Sequence, residues 1–349
     1  MKKTQMALAA VALVASTAAM ADGVSVSGRM DFGVQGASSG ASVGTAKTAL
    51  NGGLLAPNLL TISGNEDIGD GNTAGFNLTT VIGSGVLDGL TPYTLLSNIH
   101  VGTAAGTIRV GATVDSFWGN GLAAFDVTGG GNMGSAVTAG FMHGATGVFH
   151  ENTIQYVAPS ISGLNVAATY TVMDQTSATG NGTARSSINL KKGDYSVAGT
   201  YDIGSLKVGA GYASNHNYNS DVNNSFFVGA GTDLGFAKVN VLYINSSLAS
   251  GIASTAGTTT AGKASTFGIN SSIPLVGALT GTVGYYSTDG SAINGTNTSV
   301  GALYAMSKRT TVFANYEKAT GNTVLGLGQN GAGQGTGGSI ATLGVAHSF

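Results

Sequence analysis

The sequence predicts an all-β fold, a transmembrane antiparallel β-barrel of sixteen strands, and three observations support this class. Apolar and polar residues alternate along most of the 349-residue chain, as in strands with two chemically different faces. Only 9% of the residues are charged, whereas soluble domains contain about 25%. Beyond the N-terminal segment, however, no apolar run approaches the roughly 18 residues of a membrane-spanning helix.

The composition excludes several classes of protein. The chain has no cysteine, which excludes a disulfide scaffold and a thiolate metal site. Its formal net charge of −2 offers no basic surface for nucleic acid, so no nucleic-acid partner is expected. The five histidines lack the paired spacing of zinc ligands, and we therefore predict no metal and no cofactor.

The first 21 residues have the pattern of a signal peptide. Met1-Lys2-Lys3 is a basic start, residues 6–14 are apolar, and Ala19-Met20-Ala21 supplies small residues around a cleavage point. The apolar stretch is too short to span a bilayer. We therefore expect residues 1–21 to be removed on export and residues 22–349 to form one barrel domain.

Seventeen segments predict β-strands. In residues 24–34, Val24, Val26 and Phe32 alternate with polar residues such as Ser25 and Asp31. Sixteen further segments share this alternation: 58–66, 73–82, 95–103, 106–113, 135–143, 150–158, 163–172, 186–202, 206–214, 224–231, 236–246, 264–273, 278–287, 298–306, 310–318 and 338–349.

The strand number follows from parity, because single-chain bacterial barrels have an even number of strands. Segment 135–143 is the weakest of the seventeen, and removing it leaves sixteen strands and one long internal connection at about 114–149. The alternative is eighteen strands, with 186–202 divided at Lys192-Gly193-Asp194. Short turns and long Gly/Ser/Thr/Asn-rich loops also alternate, as expected when one rim of the barrel faces the periplasm and the other the exterior.

The alternation also predicts which side chains face the lumen. In a water-filled barrel the apolar residues face lipid, so Arg109, Lys207 and Lys238, which lie between apolar neighbours or beside them, are expected inside. Tyrosines and Phe349 lie near strand ends, where aromatic residues form the girdles at the two membrane interfaces.

Several segments carry a resemblance to a known family. They are Thr61 to Gly69, Val101 to Gly111, Asn152 to Tyr156 with Pro159 and Gly163, Met306-Ser307-Lys308-Arg309-Thr310, and Gly344 to Phe349. In this order they resemble the hairpins and terminal strand of Gram-negative porins of the betaproteobacterial and neisserial type. The late turn and the terminal Phe349 are the most specific of these matches.

The resemblance implies an outer-membrane protein of a Gram-negative bacterium. It implies a homotrimer of sixteen-stranded barrels in outer-membrane lipid that pass small hydrophilic solutes and ions. It also implies that the third external loop folds inward as the pore constriction, which is where parity leaves 114–149. The barrel-assembly machinery would read Phe349.

The charges of the pore depart from the family. Neutral residues stand where the family often has lumen arginines, at Leu59, Ser63, Ser97, Ala112, Gln155, Ala346 and Ser348. Arg29 and Arg109 remain, and the acidic candidates for the constriction are Asp115 and Asp126 in the loop and Asp31 on the wall. With Lys207, Lys238 and Gln155 as further lumen-wall residues, this set predicts a large, weakly selective pore with a mild cation preference.

Other functions remain open at this point. A solute-specific channel is conceivable because Phe117, Trp118 and Phe125 cluster in the internal loop, although packing of the loop against the wall explains them better. A surface adhesin or structural barrel would suit the long Ser/Thr/Gly loops. An enzyme is disfavoured because the strings resembling a nucleophile elbow at 36–44 and a dinucleotide fingerprint at 326–331 lie in loops, without a coherent Ser/His/acid set.

Overall fold

The computed structural model describes residues 23–38, 47–82, 93–127, 149–173, 192–216, 222–248, 253–254, 257–258, 262–291, 294–324 and 336–349. The expected signal peptide and segment 135–143 lie outside these residues. Within the described part of the chain, no helix is long and apolar enough to cross a membrane.

The described residues are nearly all in β-strands. The strands are β1 (Val24–Ala37), β2 (Thr48–Gly52), β3 (Leu59–Gly69), β4 (Asn72–Val81), β5 (Tyr93–Thr103), β6 (Gly106–Val114), β7 (Phe149–Val157), β8 (Leu164–Thr171), β9 (Tyr195–Ile203), β10 (Leu206–His216), β11 (Val222–Asp233), β12 (Lys238–Leu248), β13 (Ala253–Ser254), β14 (Gly257–Thr258), β15 (Gly262–Pro274), β16 (Leu279–Gly290), β17 (Gly295–Ala305), β18 (Thr310–Val324) and β19 (Thr336–Ser348). The short β13 and β14 pair with each other and stand apart from the main sheet.

The main sheet closes into an antiparallel barrel, because β19 pairs with β1 as well as with β18. β2 and β3 share one wall position, since β2 pairs with residues 32–36 of β1 and β3 with residues 24–29. The seventeen strands of the sheet therefore occupy sixteen wall positions. The predicted number of sixteen is confirmed. The alternative of eighteen is wrong, because β8 pairs directly with β9 and no wall position remains for a further strand before Lys192.

The two faces of the wall differ as the alternation predicts. Large apolar side chains such as Val34, Ile99 and Val300 are 51%, 66% and 56% exposed on the outer face. Their neighbours Gln35, Asn98 and Ser299 point to the inner face and are buried there.

One end of the barrel, called here the short-turn rim, carries the connections β3–β4, β5–β6, β7–β8, β9–β10, β11–β12, β15–β16 and β17–β18. The turn between β3 and β4 shows why the sequence bends there. Gly69, Asp70 and Gly71 have φ angles of +92°, +55° and +75°, a region open to glycine and tolerated by aspartate. The side chain of Asp67 also accepts a hydrogen bond from the Gly69 N–H at 2.8 Å, which stabilises the turn.

Candidate constriction inside the barrel

The chain turns into the barrel directly after β6, as expected of the third external loop. Residues 117–121 form one turn of π-helix and residues 122–125 one turn of 3₁₀-helix, here called together the inward loop. Its side chains join a buried cluster with the inner wall, whose members are Phe117, Trp118, Leu122, Phe125, Ala198, Ala213, Phe227, Leu242, Ile244 and Tyr286. The inward fold is therefore confirmed for the described part of the loop.

Aromatic packing attaches the inward loop to the wall. The ring of Phe227 on β11 makes an edge contact with Phe117 at a centroid distance of 5.1 Å. Phe125 lies over Gly209 and Gly229, where a Cβ atom would stand 2.8 and 2.9 Å from its ring. The two glycines therefore leave the space that Phe125 fills.

The burial of the aromatic side chains of the inward loop argues against a site at which a solute stacks on them. Phe117, Trp118 and Phe125 are 2%, 3% and 0% exposed. These rings have almost no surface to offer a sugar or an aromatic solute.

Polar contacts hold the far end of the inward loop. The backbone carbonyl of Phe125 accepts hydrogen bonds from the Asn240 and Asn270 side chains at 3.1 and 3.0 Å. Both asparagines lie on the inner wall, and Asn270 also donates to the Tyr286 hydroxyl at 3.0 Å. Neither asparagine stands out in the sequence, because a polar residue at an inward position of a strand is ordinary.

Asp115 anchors the near end of the inward loop. Its carboxylate accepts hydrogen bonds from the Phe117 N–H at 2.9 Å and the Ser196 hydroxyl at 2.5 Å, and His150 Nδ1 lies 3.4 Å away. The side chain is fully buried. Burial raises the pKa of the Asp115 carboxyl, an effect opposed by His150 and by these hydrogen bonds.

Gln155 links the base of the inward loop to Arg109. The amide nitrogen of Gln155 donates to the Val114 carbonyl at 2.6 Å, and its oxygen accepts from the Arg109 guanidinium at 2.9 Å. His100 is the neighbour of Arg109 on β5. Gln155 is buried, whereas Arg109 and His100 keep part of their surface exposed on the inner wall.

Arg29 and Asp31 lie side by side on β1, with Arg29 Nη2 and Asp31 Oδ2 3.7 Å apart. The Arg29 side chain is 27% exposed and that of Asp31 is fully buried. Asp31 accepts hydrogen bonds from three backbone N–H groups, those of Leu54, Leu55 and Ala56. Two of the three acidic residues expected at the constriction, Asp31 and Asp115, thus have carboxylates that bind other parts of the chain.

The remaining residues predicted for the constriction and the lumen wall are Asp126, Lys207 and Lys238. Asp126 is partly exposed at the end of the inward loop. Lys207 and Lys238 lie near the short-turn rim, where their ammonium groups are 2.7 and 4.0 Å from Asp202 and Asp233. Among the described residues, no cluster of three metal-ligating side chains occurs.

Phe349 completes the wall at the end of the chain. Its backbone N–H and carbonyl exchange hydrogen bonds of 2.9 Å with Gly28. Gly28 leaves room for the Phe349 ring, because a Cβ atom on Gly28 would overlap that ring.

A segment that the sequence did not single out also enters the barrel. Residues 53–58, between β2 and β3, lie inside, although the sequence suggests an external loop over 35–57. Leu54, Leu55 and Ala56 are 1%, 8% and 8% exposed. The available signal is this apolar triplet within a stretch otherwise rich in Gly, Ser and Thr.

Comparison with known proteins relates this architecture to others. A family model described as Gram-negative porin matches residues 7–323. No curated protein sequence matches the chain.

Solved structures share the fold at low sequence identity. An anion-selective porin from Comamonas acidovorans is 20% identical with a TM-score of 0.72, over 94% of this chain and 100% of that one. OmpT of Vibrio cholerae is 14% identical with a TM-score of 0.66, over 94% and 98% of the two chains. A mutant of the Rh. blastica porin is 18% identical with a TM-score of 0.63, over 93% and 100%.

Proposed function

The chain belongs to the Gram-negative porin family, and on that basis we propose that it forms a water-filled channel through which small hydrophilic solutes and ions diffuse across the outer membrane. The observation that carries this proposal is the inward loop, which enters a closed barrel and packs against one side of its inner wall. Polar residues on another part of that wall, among them Asn77, His100 and Arg109, keep exposed surface.

Swelling of liposomes that contain the protein tests diffusion. We expect neutral sugars to enter at rates that fall steadily with their size, because an aqueous pore discriminates mainly by diameter. Entry of one sugar alone would instead favour a solute-specific channel. Absence of both entry and current would favour the adhesin or structural barrel and contradict the proposal.

The exposed charges favour anions. Arg29 and Arg109 retain exposure on the inner wall, whereas Asp126 is the one acidic residue assigned to the constriction that does so, because the carboxylates of Asp31 and Asp115 are buried and hydrogen-bonded. The sequence alone predicts a mild cation preference, because alternation and the family resemblance assign both carboxylates to the lining of the pore. With those two removed from contact with water, we propose a weak anion preference. One protein of similar fold is named an anion-selective porin.

Reversal potentials in a salt gradient test this preference. We expect the wild-type channel to favour chloride over potassium, and the Arg29→Ala/Arg109→Ala double variant to shift toward potassium. Arg309→Ala is the matched control, since Arg309 is exposed in the turn at the short-turn rim. There, water and salt screen its charge over about 10 Å at 0.1 M. Cation preference in the wild type, or an equal shift for Arg309→Ala, would contradict the assignment.

The proposal includes export and assembly. Residues 1–21 would direct the chain through the inner membrane, and the barrel-assembly machinery would recognise the terminal Phe349, which is 47% exposed. A homotrimer is part of the proposal, and a trimer form is known for OmpT of Vibrio cholerae, which shares the fold with a TM-score of 0.64.

A further inference from the structure

The wall position that β2 and β3 share contains more residues than the adjacent strand β1 can pair with. Gly52, the last residue of β2, lies opposite Phe32, and Leu59, the first residue of β3, lies opposite Arg29. Only Met30 and Asp31 separate these partners on β1, whereas residues 53–58 separate them on the other side. Four residues are therefore surplus, more than the single extra residue of an ordinary β-bulge.

The surplus residues turn into the lumen. Leu54 and Leu55 form a buried cluster with Phe313 and Ala346, against which Leu303 also packs. These three partners lie on β18, β19 and β17 and point to the inner face of the wall. On the same strands, Tyr316, Leu343 and Tyr304 are exposed on the outer face. Residues 53–58, called here the inner segment, therefore lie across the inside of the wall.

Asp31 holds the inner segment through its backbone and its side chain. Its carbonyl accepts from the Gly53 N–H at 3.2 Å, and its N–H donates to the Asn58 side chain at 2.6 Å. Its carboxylate accepts from the N–H groups of Leu54, Leu55 and Ala56 at 2.5, 3.2 and 3.1 Å. Five hydrogen bonds thus attach the inner segment to Asp31.

The inner segment faces the inward loop at a comparable depth. Phe313, beneath the inner segment, is the fourth residue of β18 counted from the short-turn rim. Gly209, beneath Phe125 of the inward loop, is the fourth residue of β10 counted from the same rim. The inner segment covers β17, β18, β19 and β1. The inward loop is centred on β8 to β12 and reaches β15 and β16 through Asn270 and Tyr286, so the two elements together leave β4 to β6 uncovered.

We propose that the inner segment is a second constriction element, which narrows the lumen opposite the inward loop and confines permeating solutes to the wall formed by β4 to β6. Asn77, His100 and Arg109 are among the partly exposed inward residues of that wall. The inference rests on the proposed function and adds which residues set the size and shape of the opening. Asp31 is then a positioning residue for the inner segment.

The register suggests a direct test. Deletion of residues 54–57 leaves Gly53 and Asn58 to pair with Asp31 and Met30, so that β2 and β3 become one continuous strand with unchanged register. Asp31→Asn is combined with the deletion, because the carboxylate would otherwise lose its donors and enter the lumen as a new charge. We expect a higher single-channel conductance and entry of larger sugars into liposomes than in the wild type.

A second variant covers failure of the deletion to fold. Leu54→Ala/Leu55→Ala keeps the chain length and every hydrogen bond to Asp31 but removes the apolar contacts with Phe313 and Ala346. We expect it to increase conductance fluctuations. Heat-dependent electrophoretic mobility reports whether each barrel is assembled.

The outcomes separate the two proposals. A wild-type protein that passes neither ions nor sugars overturns the proposed function. A wild type that conducts, with assembled variants whose conductance, current noise and sugar cut-off equal its own, overturns the role of the inner segment while the channel stands. If the deletion variant does not assemble, the double alanine variant alone decides.

Discussion

A Val300→Arg variant is expected not to assemble into a stable barrel. Val300 is the sixth of eleven residues in β17, and its side chain is 56% exposed on the outer face. This position lies near the middle of the lipid-facing band, where arginine costs about 2–4 kcal/mol. We expect a marked loss of the heat-modifiable folded form and a lower urea concentration at the midpoint of unfolding in lipid.

Asn77→Arg is the matched control for Val300→Arg. Asn77 is the sixth of ten residues in β4 and is partly exposed on the inner face, so the same side chain enters water instead of lipid. The control should assemble as the wild type does and shift the reversal potential further toward anions. Equal tolerance of arginine at both positions would contradict the assignment of inner and outer faces.

A Phe125→Ala variant is expected to loosen the inward loop while leaving the barrel assembled. Phe125 has no exposed surface and fills the space over Gly209 and Gly229. Truncation of such a ring removes about 3–5 kcal/mol of packing. The loss falls on the inward loop, because each strand keeps its hydrogen bonds to its neighbours. Single-channel recordings should show larger and more variable currents.

Phe236→Ala serves as the control for ring removal. Phe236 is 71% exposed in the connection between β11 and β12 at the short-turn rim. Its truncation should leave current amplitude and noise at wild-type values. If the current amplitude and noise of Phe125→Ala equal those of Phe236→Ala, the position of the inward loop does not depend on the Phe125 contact.

The strands were predictable because their signal is local. The spacing of Val24, Val26 and Phe32 indicates which face of β1 is apolar. The turn Gly69-Asp70-Gly71 consists of residues that tolerate positive φ angles. Parity then selected the long connection after β6, and Phe117, Trp118 and Phe125 within it indicated packing against the wall.

The charged site was predictable only in part. Alternation assigned Asp31 to the inner face, and Asp31 does lie there, but its carboxylate binds the inner segment instead of facing water. Asp115 is likewise committed to Ser196, which is 81 residues away in the chain. Because the two residues of each contact lie far apart in the sequence, no local sequence pattern predicts these contacts.

The sequence by itself determined the strand faces, the even strand number, the turns and the family resemblance, because each depends on neighbouring residues or on the order of short motifs. Only the tertiary structure decided which inward charges still meet water and that the four surplus residues beside Asp31 turn into the lumen. Both depend on closure of the barrel, which brings β1 beside β19 and sets the inner segment and the inward loop on opposite sides of one lumen.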